Sequence, residues 1–447
     1  MQRAALKERA CKAIDARREQ IIALGEDTRT HPELGFKEVR TAALVAAQFR
    51  QLGIPCQEQL AVTGVKGLLT GAAERVTVAY VSELDSVLVP DHPLADPQTG
   101  AAHACGHNAQ IANLAVVAIG LKEGDVMPHL GGNVALIAAP AEEYVELAYR
   151  MGLSEAGKIE FLSGKQELLR VGAFDDVSLV LATHQGGPRE GKTVSPGGPS
   201  NGCIAKVVRF IGKAAHAGGA PHDGVNALQA AHVAMAGINA LRETFRDSDH
   251  IRVHPIITKG GDLVNIVPAD VHMEMYVRGA SVNAMLKASR AVDRCLQAGA
   301  LAASAAIEIT SLAGYMPKVI TPALDALYMQ NAGDLLGADA LLGSEFGAGS
   351  TDIGDISMVM PAIEAVVGGC SGTGHGADFA IADDELAYIV PAKLAVMTLI
   401  DLLADDAAGA QTLLADYQAP MTRTQYLETV RSLNQTSTYD YREAPAI

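Results

Sequence analysis

Val134-Ala-Leu-Ile-Ala-Ala-Pro-Ala-Glu-Glu143 opens as an unbroken apolar run and closes, after a proline, on two carboxylates. A strand that is apolar at every position is buried on both faces, as in a sheet covered by helices. Val76-Thr-Val-Ala-Tyr-Val81 and Val177-Ser-Leu-Val-Leu181 have the same character, and the helical segment Ile111–Leu121 falls between them. Strands of this kind alternating with helices predict an α/β sheet. Such sheets place their sites at the carboxyl ends of the strands, which is where Glu142 and Glu143 fall.

Working outward, a helix is expected over Leu6–Leu24, broken by the turn His31-Pro-Glu-Leu-Gly35, and another over Val39–Leu52. The loop signal Ser195-Pro-Gly-Gly-Pro-Ser-Asn-Gly202 marks a change of character. After it the pattern reads strand Ile204–Phe210, helix Gly224–Leu241, strand Ile251–Thr258, strand Val271–Val277, helix Val282–Ala303 and strand Ile307–Leu312. That is βαββαβ, the ferredoxin-like order. Alternation resumes beyond Met316-Pro317, with a strand at Ala362–Val367 and a long helix near Asp384–Leu403. The expectation is a mixed-sheet α/β domain formed by residues 1–198 and 316–447, interrupted by a smaller domain at 199–315.

The 447 residues suffice for two domains, and a hydrophobic share of 49% suffices for a sizeable core. A formal net charge of −16 argues against nucleic acid or an anionic membrane as partner. The charged N-terminal stretch has no apolar centre of the signal-peptide kind, and no run of 18 or more apolar residues points to a membrane span. Six cysteines without a pairing rhythm suit reduced thiols, so a cytoplasmic location is expected.

The chemistry concentrates in a few short segments. In His103-Ala-Cys-Gly-His107, a thiol and an imidazole two residues apart can point towards one centre, with Gly106 permitting the turn between them. Thiolate and imidazole are good ligands for divalent zinc, manganese-like or nickel-like ions. The same Cys-x-His also describes a buried thiol beside a helix-capping histidine. Glu142-Glu143 tips the balance, because adjacent carboxylates on extended chain face different ways. One can bind metal while the other takes a proton from an activated water. His184 ends another apolar strand, and His375 lies in Gly372-Thr-Gly-His-Gly376, just beyond the strand Ala362–Val367. Several strand ends thus deliver Cys, His and Glu to one edge.

With these segments in view, the chain resembles the metallo-aminoacylase and carboxypeptidase family. The resemblance is to its amidohydrolase branch, which holds hippurate hydrolase, the auxin–amino acid conjugate hydrolases and aminobenzoyl-glutamate hydrolase. It is carried by HPELGF, HACGHN, PAEE, GKAAHAGGAPH, NIVPADVHMEMYVRG and GSTDIGDIS, from about His31 to about Ile381. The resemblance implies one or two divalent ions (Zn, Mn, Co or Ni) held by Cys105, His107, Glu143, His184 and His375. It implies Glu142 as general base, and His216 as an oxyanion-stabilising residue that completes a partner subunit's site. Asn265 and Arg278 would hold a substrate carboxylate, and the inserted domain would make a homodimer or higher homo-oligomer.

Some positions depart from the family pattern. Glu83-Leu84-Asp85 stands where the wider family has His-x-Asp, which leaves Asp85 as support behind the ligands. Tyr144 replaces the usual glycine, and the stretch Glu146–Gly172 is long. The leading expectation is hydrolysis of an N-acyl or N-aroyl amino acid, or a dipeptide-like conjugate, by metal-activated water with Glu142 moving the proton. A second reading keeps the centre but displaces an amine from an aromatic ring, like 5-nitroanthranilate aminohydrolase in the same family. A third is a non-catalytic binding protein on a hydrolase fold, which the complete ligand set argues against.

Overall fold

The computed structural model describes residues 2–187 and 193–442, which divide into two compact units. The first comprises residues 1–199, 319–346 and 355–423; the second comprises 200–318, 347–354 and 424–447.

Among the described residues, the first unit is built on a seven-stranded sheet. Its order is Cys56–Leu60, Gly64–Leu69, Asn133–Ala139, Thr77–Glu83, Leu179–Gln185, Ala362–Val367 and Val194–Ser195. The four middle strands of that order run parallel, with Glu83 beside Ala139 and His184 beside Val366. Their carboxyl ends therefore share one edge of the sheet. Thr77–Glu83 and Asn133–Ala139 are buried at every residue, as their unbroken apolar runs predict. The helix His107–Glu123 is buried from His107 to Leu121, an all-round burial that matches its all-round apolar sequence. It packs on the strand Thr77–Glu83 and on the helices Arg3–Ala16, Arg18–Arg29 and Val390–Asp416.

The helix expected over Leu6–Leu24 is two helices, Arg3–Ala16 and Arg18–Arg29, with Arg17 at the joint. The long C-terminal helix begins as a π-turn, Glu385–Ile389, and continues as Val390–Asp416. It breaks where Asp405, Asp406 and Ala407 adopt φ of 54°, 60° and 61°. Its segment Glu385–Asp416 is long and apolar enough to cross a membrane, yet 94% of the most apolar window is buried inside the chain. This helix serves the core.

The second unit shows the βαββαβ order on an antiparallel sheet: Arg252–Lys259, Asp270–Gly279, Gly202–Ile211, Ala306–Ala313 and Gln435–Asp440. The helices Ala227–Leu241 and Val282–Ala302 pack against it and against each other. Asn226 and Ser281 cap them, accepting the N–H groups of Leu228 and Gln229 and of Ala284. Along Asp270–Gly279, odd-numbered residues are buried and even-numbered ones are half-buried, so one face meets the helices and the other is open.

The fifth strand was not expected. Residues 316–447 were placed whole in the outer domain, but Gln435–Asp440 pairs with Ala306–Ala313, from Ser311 with Gln435 to Ala306 with Asp440. The chain's last segment thus covers a sheet edge of the second unit, satisfying backbone groups that would otherwise be open.

Candidate metal centre

The helix His107–Glu123 starts at a left-handed residue, Gly106, with φ of 86°. A Cβ there would lie 2.6 Å from Cβ of Gln185, so glycine is required by both conformation and space. This turn presents Cys105 and His107 to the carboxyl edge of the sheet. Nδ1 of His107 lies 2.8 Å from the Asp85 carbonyl oxygen and 3.5 Å from Oδ1 of Asp85. Both oxygens only accept, so Nδ1 donates, which leaves Nε2 as the nitrogen that could face a cation. His184 repeats the arrangement. Its Nδ1 donates to the Gln185 carbonyl at 2.8 Å, and its Nε2 lies 3.4 Å from Sγ of Cys105. His375, at φ of 61°, donates its N–H to the Ala104 carbonyl and sets Nε2 3.1 Å from Oε1 of Glu143.

The Glu142-Glu143 turn is held from both sides. The Asp85 carboxylate accepts the N–H of Glu142 at 3.1 Å and that of Glu143 at 2.9 Å. Arg150, 1% exposed, donates to the carbonyls of Leu162 at 2.7 Å and Ala141 at 3.3 Å, and also to that of Glu143. Glu38 accepts the N–H of Ala141, which has φ of 50°. Side chains on three separate segments therefore fix a strained turn that carries two carboxylates. Arg150 lies in the long stretch whose role the sequence left open. Tyr144 is 7% exposed, with its ring 5.8 Å from the Arg150 guanidinium.

Sequence reasoning missed Glu83 and Lys165. Glu83 had been read only as a departure from the family pattern. Its Oε1 pairs with Nζ of Lys165 at 2.6 Å, and its Oε2 accepts from Gln110 at 2.7 Å and lies 3.0 Å from Nε2 of His107. The available signal was the position of Glu83, which ends a wholly buried strand at the same edge as the others.

Three groups of side chains bring their ligand atoms within 4.8 Å of one another: Cys105–His107–His184, Cys105–Glu143–His375 and Glu83–His107–Glu142. All five expected ligands are thus gathered, and Cys105 and His107 each belong to two groups. The donors fit divalent ions of the zinc, manganese, cobalt or nickel kind. Burial, and then the charge of Glu143, push the Cys105 thiol well up. A bound cation is what would make it a thiolate. Burial opposes ionisation of Glu143, but the hydrogen bond and charge of His375 outweigh it and hold the carboxyl below its usual range. His103 belongs to none of the groups. Its buried ring has no hydrogen-bond partner among the described residues, and burial, then the charge of His107, pull its pKa down to about 3.

The other expected site residues lie in the second unit. Nδ1 of His216 accepts the N–H groups of Gly218 and Gly219 at 3.2 and 2.9 Å. Its proton is therefore on Nε2, an exposed donor. His216 bridges to Ile266, and the Asn265 carbonyl accepts the N–H of Ala217, so His216 and Asn265 are neighbours. Arg278 is not with them. It lies at the far end of the strand Asp270–Gly279, eight residues from Asp270 and hence roughly 26 Å along it. Asn265 and Arg278, which the resemblance gave as holders of a substrate carboxylate, thus lie far apart within one chain. Arg278 instead donates from Nη1 to Oγ of Ser350 at 2.7 Å and lies over the Tyr276 ring at 5.4 Å.

Comparison with known proteins places this geometry in context. The model for the M20 peptidase dimerisation domain matches residues 201–304. The chain is 30% identical to the Xaa-Arg dipeptidase of Mus musculus, over 80% of this chain and 78% of that protein. It is 24% identical to the IAA-amino acid hydrolase ILR1-like 4 of Arabidopsis thaliana, over 78% of this chain and 77% of that one. Among solved structures, a dinuclear metal-binding peptidase of the M20 family from Bacillus subtilis superposes with a TM-score of 0.67 at 20% identity. It covers 87% of this chain and 99% of its own.

Proposed function

Because the chain belongs to the M20 family of metal-dependent peptidases and amidohydrolases, we propose that it cleaves the amide bond of an N-acyl or N-aroyl amino acid, or of a dipeptide-like conjugate. In this reading Cys105, His107, Glu143, His184 and His375 hold one or two divalent ions. Such ions supply Lewis acidity and acidify a water at neutral pH. Glu142 is the general base, which takes the proton of the attacking water and returns it to the leaving amine.

One observation carries the assignment. Glu142 and Glu143 share one clamped turn, yet Glu143 pairs with His375 while Oε2 of Glu142 stands 4.0 Å from Nε2 of His107. Neighbouring carboxylates in unlike surroundings suit unlike tasks. His216, with its proton on Nε2, suits polarisation of the scissile carbonyl. We assign that role across a dimer, which the match to a dimerisation domain supports.

Loading the protein with Zn, Mn, Co or Ni and screening N-acyl amino acids, dipeptides and aminobenzoyl conjugates by mass spectrometry tests the proposal. A carboxylic acid plus an amine is the expected product pair. Ammonia plus a phenol would establish the deamination reading instead. No observation favours that reading, since the Tyr144 ring that suggested it is buried against Arg150.

A further inference from the structure

His107 has one ligand nitrogen to give and stands between two sets of donors. Its Nδ1 is held by the Asp85 carbonyl at 2.8 Å, so both sets draw on Nε2. On one side are Cys105 and His184, whose Sγ and Nε2 are 3.4 Å apart. On the other are Glu83 and Glu142, and the ligand atoms of Glu83, His107 and Glu142 all lie within 4.8 Å of one another. These three residues are buried, and all belong to the first unit. Oε2 of Glu83 is 3.0 Å from Nε2 of His107, close enough for a hydrogen bond yet not aligned for one. Neighbouring ligands of one ion stand side by side in this way, about 3 Å apart when each bond is about 2.0–2.2 Å. Oε2 of Glu142 is 4.0 Å from the same nitrogen, a spacing of about twice the bond length that suits opposite ligands of an octahedral ion. Lys165 takes the other oxygen of Glu83 at 2.6 Å, and Gln110 donates to Oε2 at 2.7 Å. A carboxylate oxygen accepts twice, so Oε2 keeps capacity on the side of His107.

We infer that Glu83, His107 and Glu142 form an alternative seat for a hard divalent cation of the manganese or magnesium kind. Two carboxylate oxygens and one imidazole suit such ions, whereas the thiolate and two imidazoles of Cys105, His107 and His184 suit zinc and its usual spectroscopic stand-in, cobalt. One nitrogen binds one ion, so the two seats exclude each other. The consequence rests on the reading of Glu142 as general base. An ion in the Glu83 seat takes Glu142 as a ligand and stops it from accepting a proton. A hard ion there inhibits, and a softer one that captures His107 restores turnover.

Spin resonance of divalent manganese and absorption of divalent cobalt follow the two seats separately in the full-length protein freed of metal by a chelator. Cobalt should show a thiolate charge-transfer band, which Glu83→Gln should leave in place and Cys105→Ser should remove. Manganese should bind in the parent and in Cys105→Ser, at least about tenfold more weakly in Glu83→Gln, and zinc should release the manganese held through Glu83. If Glu83→Gln folds poorly, the same change combined with Lys165→Met carries the test, because the buried ammonium goes with its partner. With an amide that the zinc-loaded protein cleaves, excess manganese should inhibit, with a midpoint that rises with the zinc concentration. Manganese affinity untouched by Glu83→Gln, or Glu83-held manganese that zinc does not release, would overturn the seat even if amides are cleaved. Glu83-dependent manganese binding without inhibition would instead keep the seat and remove Glu142 as the base.

Discussion

Lys165 and Glu83 form an ion pair of 2.6 Å whose side chains are 1% and 4% exposed, and the other oxygen of Glu83 lies 3.0 Å from Nε2 of His107. Burial alone would raise the Glu83 pKa, but the Lys165 ammonium and the imidazoles of His107 and His184 outweigh it and hold the carboxyl far below its usual range. The pair thus delivers an ionised carboxylate into a dry site. Lys165→Met leaves that charge without its counter-ion, which typically costs about 3–5 kcal/mol. Urea denaturation should show a loss of that size, and Lys165→Met with Glu83→Gln should recover much of it. A single variant within about 1 kcal/mol of the parent would refute the pair's role.

Arg150 makes an analogous contribution through backbone rather than charge. Three carbonyls, of Ala141, Glu143 and Leu162, depend on one buried guanidinium. Arg150→Met strands them, at a stability cost on the order of 3 kcal/mol, and releases the turn that positions Glu142 and Glu143. Metal content after dialysis should drop together with stability. Arg150→Lys should rescue little, because an ammonium does not span three acceptors in a plane. Full metal retention in Arg150→Met would show that Asp85 and Glu38 suffice to hold the turn.

Glu38 predicts a pH signature. It is fully buried, and burial, then the charge of Asp85, push its pKa from 4.5 up to about 7. Between those values the folded protein keeps a proton that the unfolded chain has lost. The folded state then binds more protons, so stability falls as pH rises through this window. The span corresponds to an upper bound on the order of 3 kcal/mol. Glu38→Gln keeps an acceptor for the Ala141 N–H and removes the titration. Its stability profile, measured with a chelator present, should lose this slope and lie above the parent at pH 8. Identical slopes would contradict the assignment.

The residues that cluster at the candidate metal centre were legible because each stands at a place where local sequence forces exposure of a functional group: a strand end, a proline turn or a glycine bend. Cys105 and His107 flank Gly106, Glu142 and Glu143 follow Pro140, and His184 ends an apolar strand. Contacts between distant segments left no such trace. Lys165 meets Glu83 across 82 residues, and nothing in Ser163-Gly-Lys-Gln-Glu167 separates a buried ammonium from a solvated one. The last strand, Gln435-Thr-Ser-Thr-Tyr-Asp440, is polar with an exposed or half-buried pattern, because it covers an edge rather than a core. It has no apolar alternation to announce it. Likewise, the separation of Asn265 from Arg278 follows from the length of a strand that composition does not orient.

That separation bears on assembly. If His216 serves the partner subunit, mixing Glu142→Gln protein with His216→Ala protein should restore activity. Random exchange makes half the dimers mixed, each with one intact site of two, so about a quarter of parental activity is expected. No recovery after verified subunit exchange would place His216 in its own subunit's site or outside catalysis.

The most direct test of the account is Glu142→Gln in the metal-loaded protein, with bound metal and turnover measured on the same sample. The expected result is unchanged metal content, held by Cys105, His107, Glu143, His184 and His375, with turnover lowered about 10²–10⁴-fold. Parental turnover at full metal content would contradict Glu142 as the proton-moving group, and loss of metal would make it a ligand instead.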